Sequence, residues 1–231
     1  MKRNLPSKVS NIIRERILDF SLPPGGEIPD LQIAQEMKIS RKPVIEALNT
    51  LCVEGIVDAV PYRGFIVKGF EPKEVEDIYL LRARLETLAV ELTIVNFSQA
   101  KQKELEGLLE KSSRYIEKND LSGFNDLDER FHDLIARHSE NSDLYKVLKN
   151  IRGKIRLIRR YDHLRFGRLE AAHKNHCDIL NLIIQKDVKG AAEKMSEHII
   201  LSMKYVLNFM SENKNLYTGL YNRPGEEPTN R

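Results

Sequence analysis

The sequence predicts a mostly α-helical protein in which a small, turn-rich N-terminal domain precedes an all-α bundle of six helices. Three observations support this fold class. Glycine and proline cluster between positions 21 and 72, whereas no proline occurs from Glu74 to Asn213. Within the proline-free stretch, apolar residues recur every three or four positions, which is the period of an amphipathic helix. The chain has 231 residues, 41% hydrophobic and 31% charged, so each of two domains can have its own core.

Charge and cysteine content exclude several classes of protein without selecting a partner. Lysine and arginine number 37 against 34 acidic residues, so the net charge of +3 favours neither nucleic acid nor membrane. The two cysteines, Cys52 and Cys177, are too few for a disulfide framework, and the N-terminus lacks an apolar secretory core. No apolar run approaches the roughly 18 to 20 residues of a membrane span. We therefore expect a cytoplasmic protein that does not contact a membrane.

The first domain, residues 1–68, begins with three predicted helices. The first carries apolar residues at helical spacing, namely Val9, Ile12, Ile13, Ile17 and Phe20. Asp30 is the expected cap of a short second helix, and Ser40 is the expected cap of a third. Gly55 closes the third helix. The second and third helices have the spacing of a helix-turn-helix.

A β-hairpin is predicted immediately after the third helix. Residues 56–60 and 65–68 are two β-rich runs, and positions 61–64 form the turn between them. A hairpin in this place is the wing of a winged helix-turn-helix. Its tip contains Arg63 and Gly64, so it is small and cationic and can approach a phosphate or enter a minor groove. An isolated hairpin of this size is more often only structural.

The third helix has one face for the core and another that is available to DNA. The expected buried residues are Val44, Ala47, Leu48 and Leu51. Arg41, Lys42, Ile45 and Asn49 then lie on or beside the opposite face. Two cations at an exposed helix N-terminus suit DNA phosphates and guanine edges, although a solvated helix start carries similar charges.

The second domain, residues 74–213, is predicted to contain six helices and to follow a hinge at residues 69–73. The first helix starts near Glu74 and carries an apolar seam, which its spacing assigns to the bundle core: Ile78, Leu81, Leu85, Leu88, Leu92 and Val95. Five more helical segments follow, at about 98–118, 120–138, 143–163, 167–185 and 188–210. A polar C-terminal tail is predicted at residues 214–231.

Four side chains of metal-ligating type are predicted to point into this bundle. Asp128 and His132 are one helical turn apart among apolar residues at helical spacing, and His176 and His198 also share faces with apolar residues. His176 precedes the turn near residue 186 by about as many residues as His198 follows it, so an antiparallel helix pair brings both to one height. Three nitrogens and one oxygen suit a divalent metal with open positions, zinc first and nickel or manganese as alternatives.

The alternative for these residues is a purely structural role, because a lone inward histidine is usually a hydrogen-bonded core residue. Convergence of four ligand-type side chains favours the metal. We assign His138, His163, His173 and Cys177 to supporting or surface positions rather than to the ligand set.

The N-terminal domain resembles the GntR family of bacterial transcription regulators. The matching segments are Pro24-Gly25, Ser40-Arg41-Lys42-Pro43-Val44, Glu46-Ala47-Leu48, Leu51, Glu54-Gly55-Ile56-Val57 and Pro61-Tyr62-Arg63-Gly64-Phe65. The family usually has a DNA-contacting arginine where this chain has Ile45. An isoleucine cannot donate to guanine, but it can pack on a thymine methyl group.

The second domain resembles the FCD ligand-binding domain of the FadR branch of that family. The branch's metal motif, an Asp and a His four apart and two later histidines, falls on Asp128, His132, His176 and His198. Arg82 and Glu86 match a recurrent Arg/Glu pair on the first helix of the domain. The count of six helices resembles the VanR-type subgroup rather than the seven-helix FadR type.

These features predict a ligand-responsive transcription regulator, a homodimer that places two winged helices on a palindromic double-stranded DNA operator. The resemblance implies an organic or sugar acid as effector, and a carboxylate can both join the metal and pair with an arginine, for which Arg82 is the candidate. Two alternatives stay open. One is a metal-dependent hydrolase, which lacks a visible general base, and the other is a structural dimer whose histidines bind nothing.

Overall fold

The structure of this protein is a computed structural model that describes residues 5–18, 21–118, 120–162 and 168–212. Within those ranges the chain forms nine α-helices and one two-stranded antiparallel sheet, which confirms the prediction of a mostly α-helical protein. The chain divides into two compact units, and one boundary between them falls between Glu71 and Pro72. That boundary lies within the segment predicted as a hinge.

The first unit contains three helices and a β-hairpin. They are α1 (Leu5–Leu18), α2 (Asp30–Glu36), α3 (Arg41–Val53), β1 (Val57–Val60) and β2 (Gly64–Val67). Helices α1 and α2 both pack against α3, and β1 also contacts α3. The predicted order of helix-turn-helix and wing is therefore confirmed. Phe20, at the predicted end of the first helix, lies outside the described residues.

Helix α3 buries the face that its sequence predicts. The four predicted core residues, Val44, Ala47, Leu48 and Leu51, have no exposed surface. The chain leaves the helix at Gly55, whose φ of 70° is left-handed and whose N–H donates to the carbonyl of Cys52 at 2.9 Å. A side chain would be strained at this φ, so glycine is what allows the direct turn into β1.

The wing is a short antiparallel pair of strands, and one further residue, Glu27, forms an isolated bridge with Ile66 of β2. Val57 pairs with Val67, and the tip closes at Gly64, whose φ is 81°. On the other side of β2, the N–H of Ile28 donates to the carbonyl of Phe65 at 2.7 Å. The sequence does not predict this bridge, because the segment that forms it, Gly25-Gly26-Glu27, has low β propensity.

Asp30 does not cap α2, so this prediction is wrong. Pro29 occupies the N-cap position, and Asp30 is the first residue of the helix. The Asp30 carboxylate accepts hydrogen bonds from Arg41 of α3 instead. An ion pair between two helices thus replaces a local cap. Ser40 does occupy the N-cap position of α3, but its side chain makes no capping bond there.

The second unit contains six helices, as predicted. They are α4 (Pro72–Val95), α5 (Gln99–Glu117), α6 (Leu121–His138), α7 (Ser142–Asp162), α8 (Arg168–Ile184) and α9 (Val188–Glu212). Helix α4 packs against α6, α7 and α8, and α5 packs against α6 and α8. His163 and the predicted tail, residues 214–231, lie outside the described residues. Among the helices that are described, none has the length and apolarity that a membrane crossing requires.

The predicted core seam of α4 is on the wrong side of the helix. Leu81, Leu88 and Val95 are 47%, 41% and 77% exposed, and the other three seam residues are only partly buried. The residues that α4 buries are Val75, Tyr79, Arg82, Ala83, Glu86, Ala89, Val90, Thr93 and Ile94. The reason is that the inward face holds a mutually neutralising pair, Arg82 and Glu86. A search for apolar periodicity therefore selects the outward stripe.

Candidate functional site

The four predicted metal ligands converge inside the second unit. One ligand atom from each of Asp128, His132, His176 and His198 lies within 4.8 Å of the others, and all four residues are buried. Helix α6 carries the first two at one-turn spacing, α8 carries His176 and α9 carries His198. Three nitrogens and one oxygen are thus brought together from three helices.

Within the cluster, nitrogen atoms face one another. Nε2 of His176 lies 3.3 Å from Nε2 of His198 and 3.3 Å from Oδ1 of Asp128. The ring of Phe131 stacks on His176, with ring centres 4.1 Å apart, and holds that imidazole in place. Ring nitrogens and a carboxylate oxygen of buried side chains thus lie close enough together to surround one cation.

Burial keeps these imidazoles neutral. Burial lowers the pKa of His176 and of His198 well below the ordinary value of 6.5, and nearby histidines lower both further. Burial also lowers the pKa of His132, against the attraction of the Glu86 carboxylate. Because metals bind the neutral form of histidine, the cluster is in its ligating protonation state at neutral pH.

Glu86 orients His132 within the cluster. Nδ1 of His132 is hydrogen-bonded to Oε2 of Glu86, and Oε1 of the same carboxylate accepts from Nε of Arg82 at 2.6 Å. Burial opposes ionisation of Glu86, but the charge of Arg82 and the bond from His132 outweigh it and hold the pKa of Glu86 below its usual range. The ionised carboxylate makes Nδ1 the donor. The lone pair of His132 is therefore on Nε2, which is buried and has no partner among the described residues.

Arg159 of α7 fixes the carboxylate of the cluster. Its Nη1 atom forms a buried ion pair with Oδ2 of Asp128, while Oδ1 faces His176. Arg159 was not among the predicted site residues. In the sequence, Arg159 is one of several arginines of the same helix, so nothing distinguishes it from the others until the packing of the helices is known.

A cavity opens beside the cluster between α4, α6 and α7. Its volume is about 30 Å³. Its polar lining comprises Arg82, Arg152, Arg156, Arg159, Glu86, Glu129, Asp133 and His132. Arg152 and Arg156 are paired with acidic residues of α6. Arg82, in contrast, has a buried Nη2 atom with no partner among the described residues. The cavity thus offers an unused cationic donor close to His132.

The other histidines lie apart from the cluster. His138 is buried rather than on the surface, and its Nε2 atom lies 3.0 Å from Glu104. His173 is joined through Nδ1 to Ser112 at 2.7 Å and through Nε2 to Cys177 at 3.6 Å. The contacts of His138 with Glu104 and of His173 with Ser112 link α5 to α6 and to α8, in keeping with a supporting role.

The predicted DNA-contacting residues lie on the exposed side of the first unit. Lys42 and Asn49 are exposed and Ile45 is partly exposed, on the face of α3 opposite its core residues. Nε and Nη2 of Arg41 lie 3.1 and 2.9 Å from Oδ2 of Asp30. The spacing of these residues in the sequence does not predict this pair.

The wing tip shows a second pairing of an arginine with an acidic residue. Nε of Arg63 lies 3.1 Å from Oε1 of Glu27, the residue that forms the isolated bridge with β2. An added Cβ at Gly64 would meet nothing within 4 Å, so this glycine is required for its backbone conformation and not for space. Tyr62 adopts a φ of 64° and has a fully exposed side chain, which adds an aromatic group to the tip.

Comparisons with known proteins identify both units. Residues 5–67 match the family described as bacterial regulatory proteins, gntR family, and residues 77–201 match the FCD domain family. An uncharacterized HTH-type transcriptional regulator of Bacillus subtilis, YdhC, is 28% identical over 209 residues, which cover 88% of this chain and 92% of the relative. The Nta operon transcriptional regulator of Aminobacter aminovorans is 28% identical over 91% of this chain and 97% of its own.

A solved structure shows the same fold. Escherichia coli McbR/YncC superposes with a TM-score of 0.76 at 22% identity, covering 88% of this chain and 97% of that one. The relatives and the matched families are transcription regulators, so the hydrolase alternative has no support. The chain therefore belongs to the GntR family of bacterial regulatory proteins, as a transcription regulator with an FCD domain and not an enzyme.

Proposed function

We propose that this regulator acts in the cytoplasm and binds a palindromic DNA operator as a homodimer. Its DNA affinity changes when a small organic or sugar acid enters the second unit beside a divalent metal. The observation that carries this proposal is a pair of buried atoms on either side of Glu86 that have no partner among the described residues. They are Nε2 of His132, in the cluster, and Nη2 of Arg82, a residue that lines the cavity. Within the FCD-containing members, the six helices support placement in the FadR branch near the VanR-like subgroup.

The donor set supports a metal ligated by Asp128, His132, His176 and His198. Neutral imidazole nitrogens that lack hydrogens to share leave buried lone pairs unsatisfied, which costs free energy in an apolar core. One cation would satisfy them together, and zinc, nickel or manganese all accept three nitrogens and one oxygen. When bound, the metal would supply Lewis-acid positions to a carboxylate, and His132 belongs to both the cluster and the lining of the cavity.

Arg82 is the proposed anchor for the second end of the acid. Its guanidinium is held by Glu86 through Nε, so that the Nη2 donor remains for a ligand. Charge-assisted bonds of this kind are among the strongest in proteins. The neighbouring Arg152, Arg156 and Arg159 already have acidic partners, which supports Arg82 as the residue that binds the effector.

The proposed DNA contacts are Arg41, Lys42, Ile45 and Asn49 on α3 and Arg63 and Gly64 on the wing. A two-fold dimer would present two copies of α3 to half-sites about 10 bp apart. The acid would act by binding one arrangement of the two winged helices more tightly than the other, through the predicted hinge at residues 69–73. A ligand that bound both arrangements with equal affinity would not change the DNA affinity.

The test combines elemental analysis with calorimetric titration of small organic acids. We compare wild type with His176→Ala and use His173→Ala as the matched control, because His173 is on the same helix but outside the cluster. We expect wild type and His173→Ala to carry about one metal ion per chain and to bind an acid of the panel. His176→Ala should lose most of its metal and most of its affinity for the acid. Equal metal in all three proteins, or none in any after metal-replete expression, would show that the histidines are structural only.

A further inference from the structure

The outward side of α4 carries a row of large apolar side chains that no described residue covers. Leu80, Leu81, Leu88 and Val95 are between 41% and 77% exposed. Leu81, Leu88 and Val95 are spaced by one heptad, so they lie along a single face. Scattered apolar residues on a surface are ordinary, but a row along 15 residues of one helix indicates a surface that is covered in the assembled protein.

The charges on this face identify what covers it. Arg84 is exposed and Glu91 is partly exposed, and neither forms an ion pair with any described residue. They have opposite charge, are also one heptad apart, and lie on either side of Leu88 along the helix. Their separation along the axis is about 10 Å. This arrangement is self-complementary when a second copy of α4 lies antiparallel to the first.

We infer that α4 pairs antiparallel with α4 of a second copy of this chain, about a two-fold axis beside Leu88. That axis brings Arg84 of each chain opposite Glu91 of the other. It also brings Leu80 and Leu81 of each chain to Val95 of the other, so the exposed ends of the row are covered as well. The two ion pairs are equivalent by symmetry, as an isologous interface requires.

The seam spacing of α4 agrees with such a pair. The intervals of 3, 4, 3, 4 and 3 from Ile78 to Val95 are those of a helix that packs along another helix over several turns. Within the second unit, α4 buries a different face, so the seam has no partner in its own chain among the described helices. A second copy supplies one.

This inference rests on the proposed dimer, and charge reversal at the two positions tests it separately. In Arg84→Glu, both pairs across the axis become acidic, and in Glu91→Arg both become basic. We expect each variant alone to raise the dimer dissociation constant at least about tenfold, since like charges that face each other across an interface are costly. Sedimentation equilibrium of the full-length chains measures this constant.

The mixture of the two variants is the sharper measurement. In a heterodimer of Arg84→Glu with Glu91→Arg, both pairs again join opposite charges, so we expect the mixed dimer to recover most of the wild-type affinity. Lys103→Glu is the matched control, because Lys103 is an exposed cation of α5 away from this face. It should dimerise as wild type does, and all variants should melt within a few degrees of wild type.

The outcomes separate the two proposals. A wild-type monomer at micromolar concentration overturns the proposed dimer and the α4 pairing with it. If wild type dimerises and neither charge reversal weakens the dimer, the proposed dimer stands but the α4 face is not its interface. The apolar row of α4 is then covered by another face or by the chain beyond residue 212. Variants that dissociate alone and stay apart when mixed overturn the pairing of Arg84 with Glu91.

Discussion

The imidazole of His132 and the carboxylate of Glu86 are hydrogen-bonded across two helices, and this contact connects the cluster to the cavity. The carboxylate also accepts a bond from Arg82, so three buried groups form one chain. At one end Nη2 of Arg82 lacks a partner among the described residues, and at the other end so does Nε2 of His132. An anion at the first end and a cation at the second would therefore act on the same carboxylate.

Glu86→Gln should weaken metal binding although Glu86 is not a proposed ligand. The neutral amide neither raises the basicity of His132 nor fixes its hydrogen on Nδ1, and removal of such a partner lowers metal affinity about 10- to 100-fold. Competition with a chromophoric chelator measures the affinity. Glu76→Gln, a surface change on the same helix, should have no effect. Equal affinities in both variants would contradict ligation through Nε2 of His132.

Metal-free protein should lose stability as the pH falls below about 6.5. The pKa values of His132, His176 and His198 are lowered in the folded state, so at low pH the unfolded state binds more protons than the folded state does. Each contribution is complete above the unfolded pKa and is lost as the pH falls toward the folded one. The free energy of unfolding should drop by about 1 kcal/mol between about pH 6.5 and pH 5.5 for each histidine that stays neutral in the folded state.

Urea unfolding in the presence of a chelator measures this dependence. His176→Gln removes one of the three groups, so its slope against pH should be about one third shallower. Slopes that are the same for wild type and variant would mean that His176 is not buried as a neutral base.

Arg41→Ala should weaken operator binding by about 1 to 3 kcal/mol without loss of fold. The side chain is 56% exposed and contributes nothing to the core, so the melting temperature should be nearly unchanged. Fluorescence anisotropy with a selected operator gives the affinity. Arg114→Ala, on the surface of α5, is the control. If Arg41→Ala binds the operator with the affinity of wild type, α3 is not the recognition helix.

Asp30→Asn should bind random DNA more tightly and discriminate less between operator and random sequence. The change removes a negative charge beside the proposed DNA surface and releases Arg41 from the partner that orients it. Phosphate attraction then rises, whereas base readout loses its fixed geometry. The ratio of the two dissociation constants at one salt concentration is the readout. A ratio equal to that of wild type would mean that Asp30 does not position Arg41.

Ile45→Arg should alter base preference more than overall affinity. Isoleucine offers only apolar contact, which suits a thymine methyl group, whereas arginine donates to guanine. Selection from a pool of randomised operators, carried out in parallel for wild type and variant, reveals the preferred bases. Identical selected sequences would contradict a base contact at this position.

Local patterns in the sequence are sufficient to predict most of the fold. The six helices of the second unit, the buried face of α3 and the turn at Gly55 each follow from spacing or from backbone conformation, which neighbouring residues determine. The convergence of the four candidate ligands is also foreseeable, because helical periodicity turns Asp128 and His132 inward and the turn near residue 186 sets the heights of His176 and His198.

What only the tertiary structure decided is which polar groups neutralise one another. Arg82 and Glu86 appear polar in sequence, yet their ion pair permits burial, and this reverses the face that α4 presents to the core. Asp30 looks like a helix cap until α3 brings Arg41 to it, and Arg159 gains its role only when α7 lies beside Asp128. The cost of burying a charge depends on a partner that is distant in sequence, so hydrophobic periodicity cannot report it.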